Sequence, residues 1–235
     1  MLIRIHYRKT AEGRFLSHLD ITHAWERSIR RAGLPLGYSQ GFNPHPKISF
    51  ASALAVGTTS DAEFMDMELT EEIDLAVVEE ALVKALPPAF QIVRMKKMEG
   101  KQEALMSLVN FSEYQLLVET VEAVADEQLA KIIDDVLQRE EVNILRFKKN
   151  SKEKRTVNIR PGIKDIKAKA DGQKVVIDLG IQTGSEFNVR PEEVIYGMMA
   201  CGLPPVQHIL RIHRQGLWIM QSENKKITPL EWSKA

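Results

Sequence analysis

The hydrophobic period of the chain switches between two and 3.6 in a fixed order, and that order limits the fold more than any single motif. Residues 1–9 alternate Leu2, Ile3, Ile5 and Tyr7 with Arg4, His6 and Arg8, the pattern of a half-buried strand. Residues 18–32 read as a helix. Asp20 is placed to cap its start, Leu19, Trp25 and Ile29 fall near one face, and Gly33 and Pro35 end it. A stretch dense in Gly, Pro, Asn and Ser follows and finishes as a strand over 47–51. The segment 63–69, EFMDMEL, alternates as a further strand. DLAVVEEALVKA is an amphipathic helix stopped by Pro87 and Pro88, and FQIVRMKKM (90–98) closes the set as a strand. The order is βαββαβ, the split βαβ of a ferredoxin-like unit, with crossovers long enough to carry helices on one sheet face.

The remainder of the chain repeats the order without repeating the sequence. Strands are predicted at 113–121, 143–150, 174–182 and 209–220, and helices at 126–140 and 190–202. The second of these helices has Asn188 as its expected cap, Pro191 in its first turn and Gly202 at its end. The prediction is an α+β chain of tandem ferredoxin-like domains, 1–100 and 112–235, joined by a weakly patterned linker over 101–111. The second domain carries a basic insertion around 151–173.

Composition bounds function. Lys+Arg and Asp+Glu are 32 each over 235 residues, so the net charge is zero, which argues against a wholly basic nucleic-acid coat or an acidic tail protein. The zero conceals blocks of opposite sign. Residues 1–50 hold eight cations against three carboxylates, 51–90 hold one against nine, and 142–174 hold eleven against three. One cysteine, Cys201, excludes an intramolecular disulfide and any cysteine-built zinc or iron–sulfur site in this chain alone. No apolar run approaches the ~20 residues of a membrane span. MLIRIHYRK lacks the pattern of a signal peptide, so the expectation is a cytoplasmic protein with no membrane partner.

Two stretches, RFLSHLD (14–20) and RAGLPLGYSQGFNPHPKISFASALAVG (31–57), together with GLPP (202–205) and Ile212-His213-Arg214, resemble a bacterial family of radical-SAM-linked proteins, domain of unknown function 2344. The resemblance implies an accessory role beside a cobalamin/radical-SAM enzyme, with RNA or a ribosome-related molecule as shared substrate. It supplies no catalytic residues. The chain lacks the three-cysteine motif of a radical-SAM enzyme, so the iron–sulfur cluster, S-adenosylmethionine and cobalamin are expected only in the partner enzyme, with no cofactor here.

The residues themselves point to single-stranded nucleic acid. Arg14, His18, Asp20, Tyr38, Ser39, Gln40, Phe42, Asn43, His45 and Lys47 combine rings that stack on bases, amides that read base edges and cations that hold phosphates. Asn43-Pro44-His45-Pro46 also reads simply as a rigid turn, with Tyr38 and Phe42 in the core. Arg27, Arg30 and Arg31 share a helix surface and form a candidate phosphate stripe. A second basic tract includes Lys148, Lys149, Lys152, Lys154, Arg155 and Arg160, read as an electrostatic footprint without base reading, or as a solvated ribbon pairing with acidic segment 113–141.

Two rivals stand beside this non-catalytic RNA-binding module. One is a metal-independent endoribonuclease with His18 and His45 as acid and base, since histidine titrates near neutrality. The other is a protein-docking module without nucleic acid. A metal site from His18, Asp20 and His45 is the less specific reading of the same residues, and none is assigned. The carboxylates of DMELTEEIDLAVVEE read as solvated surface.

Overall fold

The computed structural model describes residues 1–235 except 101, 148–150, 152, 223–224 and 233–235. Two compact units divide the chain, one built from Met1–Asn110 with Arg214–Ala235, the other from Phe111–His213. The architecture is mixed α/β.

In the first unit, β1 (Leu2–Lys9), α1 (His18–Arg31), β2 (Ile48–Phe50), β3 (Thr58–Glu68), α2 (Leu75–Ala85) and β4 (Phe90–Met98) follow in the predicted order. The strands lie β4-β1-β3-β2, and every neighbouring pair is antiparallel. Period-two alternation divides β1 between two faces. Ile3, Ile5 and Tyr7 face the helices and form a core with Ile21, Trp25 and Ile29 of α1 and Val78 and Leu82 of α2. Residues 21, 25 and 29 recur every fourth position, which keeps one stripe of α1 on the sheet. Leu19 is off that stripe and 68 % exposed, contrary to the predicted face.

The opposite sheet face is covered by the chain itself. The short helix α3 (Leu105–Leu108), in the stretch predicted as linker, buries Leu105 against Phe64, Ala62, Leu217 and Leu230. Arg4 donates to both Asp66 carboxylate oxygens at 2.7 and 2.9 Å and to the Pro229 carbonyl, while Lys96 donates to Leu230. Asp66 is therefore a buried ion-pair partner and not the solvated carboxylate expected from its acidic surroundings.

The second unit contains β5 (Phe111–Thr120), α4 (Asp126–Gln138), β6 (Asn143–Phe147), β7 (Lys154–Asn158), β8 (Ile163–Asp171), β9 (Lys174–Gln182), α5 (Pro191–Ala200) and β10 (Val206–Ser222). Its strand order is β10-β5-β9-β8. The role predicted for strand 143–150 in the sheet is thus taken by β8, an edge strand inside the segment predicted as an insertion. The predicted strand 143–150 runs only to Phe147 within the described residues and pairs with β7 as a separate ribbon. Lys164, Lys167 and Lys169 on an edge strand, with a register shift between Ile163 and Asp165, conceal the β8 pattern. The unit boundary falls within β10 at Arg214, so the strand predicted to close the second domain is divided between the two. From Arg214 onward the chain belongs to the first unit, which also contains β11 (Lys225–Ile227) paired with β10.

Candidate nucleic-acid finger

The connection from α1 to β2 folds into a finger whose base is tied by backbone bonds. Gly37 donates to Glu68 of β3, Lys47 donates back to Gly37, and Glu68 donates to Lys47. One step outward, Tyr38 bridges Pro46, Ser39 donates to the His45 carbonyl, and the Ser39 hydroxyl accepts from the His45 amide. The prolines suit this arrangement because they present no N–H that needs a partner. Gly41, at φ 137°, makes a turn that an L side chain rarely adopts. The tip, Gln40 to His45, is exposed throughout, and Phe42 reaches 103 % exposure. Phe42 is thus not in the core. Tyr38 is partly exposed, and its hydroxyl accepts from Arg30 of α1 at 3.3 Å.

The remaining predicted residues divide into those the fold uses and those it leaves open. Ser17, not Asp20, is the cap of α1. Its hydroxyl accepts from the Asp20 amide, and Asp20 accepts from the Ser17 amide and hydroxyl. The Ser17 hydroxyl and amide hold the Asp20 carboxyl below its ordinary range. Arg27, Arg30 and Arg31 are all exposed, but Arg31 is engaged, donating to the Ala85 carbonyl and the Ser28 hydroxyl. Lys47 pairs with Glu68 at 2.6 Å. Asn43 and Gln40 stand on the open tip.

Among the described residues His18 and His45 share no hydrogen bond or ring contact. The His18 ring packs edge-on against Phe50 at 5.3 Å, whereas His45 belongs to the finger. Arg14 lies over the ring of Phe15 at 4.7 Å, its Nε has no hydrogen-bond partner among the described residues, and Phe15 is largely exposed. Neither the exposure of Phe15 nor that of Leu19 was legible, because apolar residues beside a helix start are ordinarily read as its buried face. Among the described residues no group of three or more His, Cys, Asp or Glu is placed to hold a metal.

Beneath the loop that leads into α1 lies a buried charged set that the sequence pattern did not single out. Arg214 pairs with Glu63 at 2.8 Å and reaches the Ser52 hydroxyl. Glu63 stands opposite Tyr7 across the strands. Lys9, on the same strand face, donates to the carbonyls of Arg14 and Leu16. Burial pushes the Lys9 ammonium down, opposed by Glu63, and pushes the Tyr7 phenol well up, reinforced by Glu63. A signal existed: period two puts Lys9 on the face of Ile3, Ile5 and Tyr7, and Glu63 on that of Met65 and Met67. Charges on an apolar register are buried and paired.

In the second unit, Arg160 is also structural, donating to the carbonyls of Leu137 and Ile163. Arg155 is exposed on β7. Lys148, Lys149 and Lys152 lie outside the described residues. Asn188 does not cap α5. Its side chain accepts from Thr183 and its carbonyl from Arg146, while Arg190 holds the cap position and donates its amide to Glu193.

Residues 2–191 match the model of a family described as "Uncharacterized protein conserved in bacteria (DUF2344)". No curated protein matches the chain. Among solved structures it is similar to a chain of "Crystal Structure of a Cbf5-Nop10-Gar1 Complex", with a TM-score of 0.51 and 12% identity over 90% of this chain and 47% of that one. A chain of "Structure of H/ACA RNP bound to a substrate RNA containing 2'-deoxyuridine" gives 0.49 at 13% identity, covering 90% of this chain and 46% of that one. A chain of "Crystal structure of the archaeal box H/ACA sRNP Nop10-Cbf5 complex" gives 0.47 at 14%, with the same coverages of 90% and 46%. The chain spans about half the length of these solved chains, and the likeness is one of fold. No helix is long and apolar enough to cross a membrane among the described residues.

Proposed function

The chain belongs to the DUF2344 family of proteins conserved in bacteria, and from that premise we propose that it is a non-catalytic module that binds single-stranded RNA for a cobalamin/radical-SAM enzyme in the cytoplasm. In this reading each unit is a ferredoxin-like domain, and the finger between α1 and β2 is the primary RNA contact.

The observation that carries the proposal is the finger's combination of a fixed base and an open tip. Phe42, wholly exposed, contributes nothing to the core, while the backbone bonds at Gly37, Ser39 and Lys47 hold its neighbourhood in place. A loop tied at its base loses less entropy when Phe42 stacks on a base, and stacking contributes about 1–3 kcal/mol per base. His45, Gln40 and Asn43 supply donors and acceptors around it, and Arg27 and Arg30 supply cations. The sheet face that ferredoxin-like RNA-binding domains use for stacking is occupied in the first unit by α3 and the Pro229–Leu230 segment. That occupation favours the loops as the contact.

Fluorescence anisotropy with labelled single-stranded and hairpin RNA, at low and moderate salt, tests the reading, with a denaturing gel of the same samples. The expected result is preference for single strands, affinity that falls with salt, intact RNA, and weakened binding by Phe42→Ala/His45→Ala. Absence of binding at low salt overturns it in favour of a docking module, and cleaved RNA overturns it in favour of the endoribonuclease.

A further inference from the structure

We propose that the β6–β7 ribbon of the second unit is a separate base-stacking contact for single-stranded RNA, with Phe147 as the stacking ring and Lys154 on the flanking phosphate. The proposal rests on the RNA reading of the finger but concerns a different unit and different residues.

The ribbon occupies the same connection in the second unit as the finger does in the first. With the strand orders β4-β1-β3-β2 and β10-β5-β9-β8, the finger joins first helix to second sheet strand, and so does the ribbon between α4 and β8. The extra chain therefore emerges at the same step of each topology, and each extension carries an exposed phenylalanine.

The cross-strand register decides which residues face outward. Leu145 pairs with Thr156 and Phe147 with Lys154, so these four share one face, whereas Ile144 and Arg146 take the other. The inner face is fixed. Ile144 is buried, and Arg146 donates to both carboxylate oxygens of Glu193 on α5 at 2.6 and 2.7 Å and to the Asn188 carbonyl. The Asn158 side chain ties the ribbon's base, accepting from the Val142 and Arg160 amides and donating to Glu140. A ribbon held this firmly from beneath still leaves Leu145 66 % and Phe147 67 % exposed. The Lys154 ammonium stands 5.2 Å from the Phe147 ring centroid.

Charge selects the occupant. The ribbon lies within 142–174, where eleven cations face three carboxylates in the sequence. An exposed ring with a cation at its face, in a strongly positive segment, suits a polyanion that carries flat bases. The same segment without an exposed ring would be only an electrostatic footprint, which is how its sequence reads.

A labelled single-stranded oligoadenylate is the probe for the test, with inorganic polyphosphate as the base-free competitor. Phe147→Ala is expected to weaken oligoadenylate binding roughly 5- to 150-fold, to leave the polyphosphate competition unchanged, and to be rescued by Phe147→Tyr. Lys154→Ala is expected to weaken both probes and to reduce the salt slope by about 0.7 for the phosphate that is no longer neutralised. Because Phe147 is outside the core, a circular-dichroism spectrum and urea midpoint like those of the unmodified protein accompany the expected loss. If Phe147→Ala binds normally while Phe42→Ala does not, the ribbon contact is overturned and the finger reading stands. Equal losses on oligoadenylate and polyphosphate reduce the ribbon to a charge patch and also overturn the stacking role. No binding by the unmodified protein removes both.

Discussion

Between α1 and β2 the first unit builds its finger from Gly, Pro and backbone hydrogen bonds, whereas between α4 and β8 the second builds a two-stranded ribbon seated on a partly buried ion pair. The finger is held at its base mainly by backbone bonds with β3, to which the Lys47–Glu68 ion pair is added. The ribbon has no sheet neighbour among the described residues beyond its own two strands, so Arg146–Glu193 and Asn158 hold it instead. The units differ equally in how they bury charge. The first encloses two pairs, Arg4–Asp66 and Glu63–Arg214, while in the second the Arg146 side chain keeps 18% of its surface exposed. Two different local solutions thus present an aromatic ring at one topological position.

The largest expected effect separates the units by stability. Glu63→Ala leaves Arg214 buried without its carboxylate and is expected to cost about 3–5 kcal/mol in urea denaturation. Arg146→Ala, at a more hydrated pair, is expected to cost less. Equal costs would break the contrast in burial. Next, Phe42→Ala and Phe147→Ala are expected to change stability by no more than about 0.5 kcal/mol, since neither ring is in the core, while each weakens RNA binding. A large stability loss in either would show that its ring packs inward.

Ser17→Ala removes the side-chain cap of α1 and is expected to cost about 0.5–2 kcal/mol, lowering the urea midpoint. Asp20→Asn, which keeps the geometry but not the charge, is expected to cost less. The smallest effect is expected from pH. Burial lowers the His6 pKa below its ordinary 6.5, against the opposing hydrogen bond of the Asp61 carbonyl with the His6 ring. The folded state therefore favours neutral His6. Its contribution is full above the unfolded pKa and is lost as pH falls through 6.5 toward the lowered folded value. Urea midpoints between about pH 8 and pH 5 should fall, and His6→Gln should flatten part of that fall. An unchanged slope in His6→Gln would assign the dependence to other groups.

The alternation of β1, the stripe of Trp25 and Ile29 and the Pro87-Pro88 stop were enough to order β1 to β4 and the two helices between them, because each is a local period ended by a local breaker, whereas α3 and the chain from Arg214 onward were not placed in that unit. β8 was not legible, because an edge strand studded with lysines has the composition of a loop. The finger was legible as a site by composition, but its open tip was not separable from a buried turn, since a Phe among prolines suits either. Phe147 was passed over as a lone ring in a basic run. Its importance depends on Lys154 standing opposite it, a pairing set by the ribbon's register.

By itself the sequence determined the periodicities, the breakers, the charge blocks and the motif over 14–57. Only the tertiary structure decided the partners. Glu63 and Arg214 lie 151 positions apart, and Arg4 meets a carbonyl 225 positions away. Local propensity acts over a few residues, whereas a buried charge is satisfied by whatever the folded chain brings within about 3 Å of it. For the same reason Asp20, Arg31, Lys47 and Arg160 turned out to hold the fold, while Phe42 and Phe147 were left facing solvent.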